Sequence, residues 1–537
     1  MSARPTGHLD TYVQDRLPPR DAWPVLLPGP DYPETLNAAD ALLRGAIEAG
    51  HEDRVALRGR GASWTYAALD DRVSRIARVL SEAGLVPGGR VLLRAANTPD
   101  AAAAWLGILR AGGVAVATMP LLRAKELRAV IEKARPVLAL CDGTLRGELD
   151  LALDALGEEA DGVRVLTMEG GALEAAADRA APGFESVATR ADDPALLAFT
   201  SGTTGAPKAC VHFHRDVLVM ADTFSAYVLD PRPDDVFIGS PPLAFTFGLG
   251  ALLVFPLRAG ATAVLPGMLG PAALMEAAAA YGATLMFTAP TAYRVALSEP
   301  GFALPPTVRV CVSAGEALPK ATSEAWMAAT GLRLIDGIGS TEMIHIFVSA
   351  RADEARPGST GRALPGFEAR VVDEDWADCA DGVPGRLVVR GPVGCRYMDD
   401  ARQAEYVQRG WNVTGDVFVR DADGYLSYVA RADDMIVTGG YNVAGAEVED
   451  AVLSHPGVAE CAVVGAPCEE RGSVVCAYVV PANGAADAAL RADIQRHVKD
   501  RIAPYKYPRR VEIVEALPKT ATGKVRRHAL REAARGA

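Results

Sequence analysis

The sequence has no C-x-x-C pair: its eight cysteines stand apart at Cys141, Cys210, Cys311, Cys379, Cys395, Cys461, Cys468 and Cys476. Several fall in apolar strand-like runs, so they read as buried free thiols in a reducing compartment. Nor is there an excess of basic residues. Fifty-five Lys and Arg face 67 Asp and Glu, a net charge of −12, which argues against a nucleic-acid partner. Residues 1–19 contain no apolar core, so no secretory signal is expected. The uncharged run 238–257 is broken by Pro241, Pro242, Pro256 and several glycines, which favours a buried core element over a membrane span. A cytoplasmic protein with no membrane partner is the expectation. No internal repeat and no long low-complexity tract occurs.

What is present is a chain of 537 residues, 50% hydrophobic and 23% charged, ordinary for a soluble globular protein and long enough for at least two domains. Helical spacing over 37–49 and 66–83 alternates with strand-like runs at 90–94 and 114–117, and the rhythm resumes over 193–350. That alternation implies largely parallel sheets covered by helices. Residues 150–190 are less well patterned. After Pro357 shorter strands joined by Gly/Asp/Pro turns imply a β-rich subdomain over about 357–432. Beyond the charged break Arg431-Ala432-Asp433-Asp434 lies a compact unit of helices and strands. The expected fold is α/β: a large N-terminal domain (1–432) of helix-covered sheets with that β-rich subdomain, then a small mobile α+β domain (433–537) hinged at Asp433.

Five segments carry chemistry. Thr200-Ser201-Gly202-Thr203-Thr204-Gly205-Ala206-Pro207-Lys208 follows the apolar run 195–199. A strand emptying into this loop leaves backbone N–H groups and hydroxyls free to surround a phosphate chain, with Lys208 against the outer phosphates. The Walker pattern is not met, because Ala206 and Pro207 separate Gly205 from Lys208. Asp336-Gly337-Ile338-Gly339-Ser340-Thr341-Glu342 follows a strand at 333–335 and reads as opening a helix at Met343. Glu342 would suit a hard cation such as Mg2+, and the helix would turn His345 to the same side. Ser313-Ala314-Gly315-Glu316 is another strand end whose small residues could flank a planar base. Asp416 in Trp411-Asn412-Val413-Thr414-Gly415-Asp416 and Arg431 suit the two hydroxyls of a ribose. Pro518-Lys519-Thr520-Ala521-Thr522-Gly523-Lys524 presents a lysine near the C-terminus and by itself reads as a solvated turn.

In this order, and with Ser359-Thr360-Gly361 between them, these segments make the chain resemble the acyl-adenylate-forming superfamily of acyl-CoA synthetases, adenylation domains and luciferases over roughly residues 35–530. A closer likeness is to benzoate-CoA and 2-aminobenzoate-CoA ligases. It rests on Pro241-Pro242-Leu243-Ala244-Phe245-Thr246-Phe247-Gly248-Leu249-Gly250, on Ser340-Thr341-Glu342-Met343-Ile344-His345-Ile346-Phe347, and on Ala503-Pro504-Tyr505-Lys506-Tyr507-Pro508. His8-Leu9-Asp10-Thr11 and Leu17-Pro18-Pro19-Arg20 resemble the aminobenzoate branch.

The resemblance implies ATP, Mg2+ and CoA, a small aromatic acid, and a monomer or homodimer. It assigns Thr200, Ser201, Gly202, Thr203, Thr204, Gly205 and Lys208 to the β/γ phosphates and Thr341 to the α-phosphate. Glu342 and Thr204 would bind the metal. Ala314, Gly315, Glu316, Asp336 and Gly337 would frame adenine, with Asp416 and Arg431 on the ribose. Lys524 would bridge the acid and the α-phosphate. Rotation about Asp433 would then withdraw Lys524, with Gly439 and Gly440 bordering a pantetheine tunnel and Arg471 near the CoA nucleotide. Thr246, Phe247, Ala314, Gly339 and His345 would form the acid pocket. Two departures stand out. The family usually has proline where Gly445 stands, and benzoate ligases carry tyrosine where Phe247 stands. The second favours a 2-aminobenzoate or salicylate-like acid over benzoate; the first leaves open an aryl-acid adenylating enzyme that delivers to a carrier protein or another small nucleophile.

Overall fold

The computed structural model describes residues 6–160, 162–200, 207–432, 434–438, 441–468, 472–482, 488–502, 506–520 and 524–536. Two parallel-rich sheets dominate the N-terminal part, as the alternation of helical and strand-like spacing requires. A six-stranded sheet runs, in spatial order, Arg164–Met168, Leu138–Asp142, Arg90–Arg94, Val114–Thr118, Pro194–Thr200 and Lys208–Phe213. All its pairings are parallel except the last, an antiparallel hairpin in which Thr200 opposes Lys208. The weakly patterned 150–190 stretch contributes one of these strands and the helix Ala172–Arg179.

A nine-stranded sheet has a parallel centre made of Leu334–Gly339, Val310–Ala314, Leu285–Thr288, Val236–Gly239, Thr262–Leu265 and Val55–Gly59. Antiparallel strands close both edges, Ile346–Ser349 and Arg362–Ala363 at one, Ala62–Thr65 at the other. The helices Ala38–Glu48, Tyr66–Glu82 and Pro99–Arg110 pack their apolar faces into one core with both sheets, and Pro99–Arg110 is buried almost throughout. Such burial is the main favourable term, about 25 cal/mol for each Å² of apolar surface withdrawn from water.

Two helical stretches in this core depart from α geometry: Ala221–Leu229 and Gly250–Val254 are π-helical. The second belongs to the 238–257 run, whose residues are mostly buried as a core element. Among the described residues no helix is long and apolar enough to cross a membrane. The cysteines are free thiols, and all but the half-buried Cys468 are buried.

A five-stranded antiparallel sheet follows, built from Glu368–Val372, Gly385–Arg390, Trp411–Arg420, Val407–Gln408 and Leu426–Arg431. The smaller C-terminal domain has its own apolar cores around Val458–Cys468, Gly472–Pro481 and Arg510–Ile513, flanked by Gly445–Leu453, Ala488–Lys499 and Arg527–Gly536. It touches the large domain where the backbone N–H of Lys320 donates to Asp450 at 3.5 Å. The molecule is thus mixed α/β with a large N-terminal and a small C-terminal domain. Gly445 opens a helix of the latter, and a side chain there would press on the Val463 carbonyl at 3.1 Å.

Candidate active site

The hairpin that sets Thr200 opposite Lys208 places both at the mouth of the 200–208 loop. The Thr200 hydroxyl oxygen is buried and has no hydrogen-bond partner among the described residues. A buried polar group is costly when unpaired, so this one suits a ligand oxygen. Lys208 Nζ donates to the Tyr397 hydroxyl at 2.8 Å and lies 3.9 Å from Glu342 Oε1. The Tyr397 hydroxyl in turn donates to Glu342 Oε1.

The segment after Gly339 does not become the expected helix. Residues 340–345 form a tight turn, with Met343 N–H donating to Ser340 O and Ile344 N–H to Thr341 O, and the chain re-enters the sheet as Ile346–Ser349. The run Ile346-Phe347-Val348 favours a pleated strand over a helix. Ile344 takes φ +61, which a helix interior would not allow. The consequence is that Glu342 and His345 face different surroundings rather than one side of a helix. Gly339 fits because any side chain there would meet the His345 carbonyl at 2.5 Å. The Thr341 carbonyl is held from below by the buried His212, whose Nε2–H donates at 2.7 Å.

The parallel strands Val310–Ala314 and Leu334–Gly339 pair Ser313 with Asp336 and Ala314 with Gly337. Gly315 leaves the first strand at φ +90, a conformation that favours glycine, and Glu316 accepts from the Thr291 hydroxyl at 2.8 Å. Burial pushes the Asp336 carboxyl up to about 7, against weaker opposing hydrogen bonds from Thr360 and Gly337, and its Oδ1 has no partner among the described residues. Arg431 lies opposite Asp416 in the antiparallel pairing and donates to its Oδ1 at 3.0 Å. Gly415, at φ +76, lets the guanidinium sit close: a side chain would meet Arg431 Nη2 at 2.9 Å.

Lys524 comes from the C-terminal domain, yet its ammonium is within electrostatic reach of Glu316, Arg431 and Asp416. Its side chain still reaches solvent, while protein crowded around the ammonium lowers its pKa from the ordinary lysine value. Glu316 and Asp416 oppose that shift and Arg431 adds to it.

Thr246 and Phe247 open the short helix Thr246–Leu249. His345 is buried among three rings, with centroids 5.2 Å from Phe224, 5.8 Å from Phe247 and 4.7 Å from Phe255. Phe224 and Gly250 come from the two π-helical stretches, a geometry common at functional sites. The glycine is required, because a side chain at Gly250 would meet the imidazole at 2.7 Å. Burial lowers the His345 pKa to about 3, and the Phe247 backbone opposes this only weakly, so the ring is neutral at physiological pH. Neither ring nitrogen has a well-formed hydrogen bond among the described residues.

The structure therefore groups Thr200, Lys208 and Glu342 around Tyr397, with Thr341 beside Glu342 in the chain; Ala314, Gly315, Asp336 and Gly337 at two paired strand ends; Glu316, Asp416, Arg431 and Lys524 as one set of charges; and Phe247 and Gly339, with the adjoining Thr246, around His345. Ser201, Gly202, Thr203, Thr204, Gly205, Asp433, Gly439, Gly440 and Arg471 lie outside the described residues. Sequence reading missed Tyr397, Tyr406, His212, Phe224 and Phe255. None lies in a phosphate-type loop: Tyr397 and His212 reach the site through hydrogen bonds, Tyr406 packs its ring on Tyr397, and Phe224 and Phe255 pack on His345.

The chain matches known proteins along most of its length. The family described as AMP-binding enzyme matches residues 46–397, and the AMP-binding enzyme C-terminal domain matches residues 447–524. The chain belongs to the AMP-binding enzyme family, the acyl-adenylate-forming superfamily. Benzoate–CoA ligase of Thauera aromatica is 36% identical over 513 residues, covering 93% of this chain and 97% of that protein. The 3-hydroxybenzoate–CoA ligase of Aromatoleum sp. (strain CIB) is 35% identical over 512 residues, with 93% and 97% covered. Among solved structures, the anthranilate CoA ligase AuaEII in complex with anthranoyl-AMP superposes with a TM-score of 0.88 at 31% identity, covering 94% of this chain and 98% of that one. Within its family the chain is an enzyme of the AMP-forming acid–thiol ligase class, grouped with the aryl-CoA ligases.

Proposed function

We propose that the enzyme activates an aromatic acid of the 2-aminobenzoate or 2-hydroxybenzoate type and transfers it to CoA. In the first half-reaction a carboxylate oxygen attacks the α-phosphorus of ATP, the bond to pyrophosphate breaks, and an aroyl-adenylate results. In the second the CoA sulfur attacks the aroyl carbonyl, its proton is lost, and AMP leaves. The observation that carries the choice of acid is His345: a neutral imidazole whose nitrogens have no well-formed hydrogen bond among the described residues, inside a cage of phenylalanines. Such a cage takes a flat ring, and the imidazole offers one polar contact to an ortho amino or hydroxyl group. The similarity to a ligase solved with anthranoyl-AMP supports the same reading.

In this reading Thr200, Lys208 and the intervening loop hold the β and γ phosphates, and Thr341 the α-phosphate. Asp336 and the strand ends at Ala314 and Gly337 frame adenine, while Asp416 and Arg431 hold the ribose. Glu342 fits a hard cation, since among the described residues its Oε2 takes no hydrogen bond. With Thr204 it would hold Mg2+, which when bound screens the phosphate charge. Lys524 spreads the negative charge that develops between the carboxylate and the α-phosphate, so positioning and electrostatics supply the catalysis. Rotation about Asp433 then withdraws Lys524 and presents the Gly439–Gly440 tunnel and Arg471 to CoA.

The test is pyrophosphate release across a panel of substituted benzoates, with and without CoA, and mass spectrometry of the product. Preference for ortho-substituted acids with aroyl-CoA as product supports the proposal; equal turnover of benzoate overturns the choice of acid. Gly445, standing where the family usually has proline, leaves room for a second reading with a carrier-protein or other small nucleophile as acceptor. Adenylate that accumulates unchanged by CoA would establish it.

A further inference from the structure

We propose that Tyr397 is a positioning residue that holds Lys208 and Glu342 apart, so that the lysine stays available to the outer phosphates and the carboxylate to the metal. The inference rests on the roles given above to those two residues, and none of the segments singled out in the sequence includes the tyrosine.

Tyr397 is fully buried and fixed at both ends. Its backbone N–H donates to Gln403 Oε1 at 2.9 Å, and it pairs as an isolated antiparallel bridge with Cys210, two residues beyond Lys208. On either side, Val211 N–H donates to Arg396 O and Met398 N–H to Ala209 O, each at 2.9 Å. Its ring packs against Tyr406 with centroids 5.8 Å apart, and Lys208 Nζ sits 4.6 Å from the centre of the Tyr397 ring. The hydroxyl is therefore delivered to one place. There it accepts from Lys208 and donates to Glu342, using both capacities of a phenol at once.

Without the hydroxyl, an ammonium and a carboxylate 3.9 Å apart in a largely buried pocket would close into a direct ion pair. Each would then neutralise the other instead of meeting a polyphosphate and its cation. The phenol keeps them as two separate charges. Among the described residues it leaves two donors on Nζ and the whole of Oε2 for ligands.

Tyr397→Phe keeps the ring and removes only the spacer. Calorimetric titration with Mg·ATP and with Mg·pyrophosphate should show binding weakened by about tenfold, the size of a lost charge-assisted hydrogen bond. A merely structural role is separated by a double-mutant cycle. In a Lys208→Ala background, where no ammonium is left to collapse, adding Y397F should change Mg·ATP affinity by less than about twofold. Thermal melting of each variant checks that it is folded. Unchanged Mg·ATP affinity in Y397F, or an equal loss in both backgrounds, overturns the proposal. A wild-type enzyme that shows this binding pattern but forms no aroyl-adenylate leaves the positioning role standing and removes the proposed reaction. A wild-type enzyme that binds no Mg·ATP removes both.

Discussion

At the proposed phosphate end, Lys208, Tyr397 and Glu342 share one chain of hydrogen bonds, whereas at the proposed acid end His345 stands among Phe224, Phe247 and Phe255 without one among the described residues. The first region is polar, charged and cross-connected; the second is apolar and holds a single neutral polar group. A shared co-substrate and a variable acid account for the contrast. Phosphates demand many fixed donors and cations, which only a narrow set of residue types supplies. A flat ring demands shape and a dry wall, which many side chains supply equally well.

The largest test of the contrast is at the phosphate side. Lys524→Ala should lower pyrophosphate release by about a hundred- to a thousandfold, the usual loss when one transition-state charge contact is removed. Preformed aroyl-adenylate should still yield thioester at near the wild-type rate in a single-turnover assay. Equal loss in both steps would break the proposed division of labour.

The next tests the apolar side. His345→Leu fills the cage without a polar atom, so kcat/KM for a 2-aminobenzoate should fall by about tenfold or more relative to benzoate, because the buried amino group loses its partner. KM for ATP should stay unchanged. A similar loss for both acids would make His345 a packing residue only.

Between the two ends, Arg431→Ala should raise KM for ATP by about tenfold while leaving acid selectivity intact. Because the Arg431 side chain is half exposed, stability should change by less than about 1 kcal/mol in a denaturant titration.

The smallest effect concerns Asp336. Folded, it keeps its proton up to about pH 7, whereas the free carboxyl loses it near 3.8. Folding takes up a proton between those values, so stability falls as pH rises through that window and is lowest above it. Asp336→Asn escapes the penalty. Its gain over wild type in denaturant titrations should be absent below about pH 4 and reach about 1 kcal/mol or more at about pH 8. A gain that is flat with pH would show that the wild-type carboxyl is not held protonated.

How much of this was legible in the chain follows the same division. Phosphate-type loops have local signatures, so the 200–208 loop, the Thr341-Glu342 pair and the Asp416–Arg431 set stand out in a single sequence. Tyr397 lies 189 residues from Lys208 and 55 from Glu342, and only sheet pairing brings it between them. Phe224 and Phe255 look like ordinary core residues, because an aromatic cage has no spacing of its own. The helix expected at Met343 failed for another reason. A glycine-rich strand end resembles a helix start, and the positive φ of Ile344 that turns the chain back is not written in its residue type.

The two π-helical turns give the proposed acid pocket an unusual kind of adjustability. Each inserts extra backbone into a helix, and those insertions bring Phe224 and Gly250 to the imidazole. A single-residue deletion within 250–254 would relax that turn to regular α geometry and leave the residues beyond it on their present face, so its effect would fall on the turn itself, where Gly250 meets the imidazole. In the proposed reading, the shape of the acid pocket can therefore change by the length of a helix as well as by the identity of a side chain, without touching the residues assigned to the phosphates.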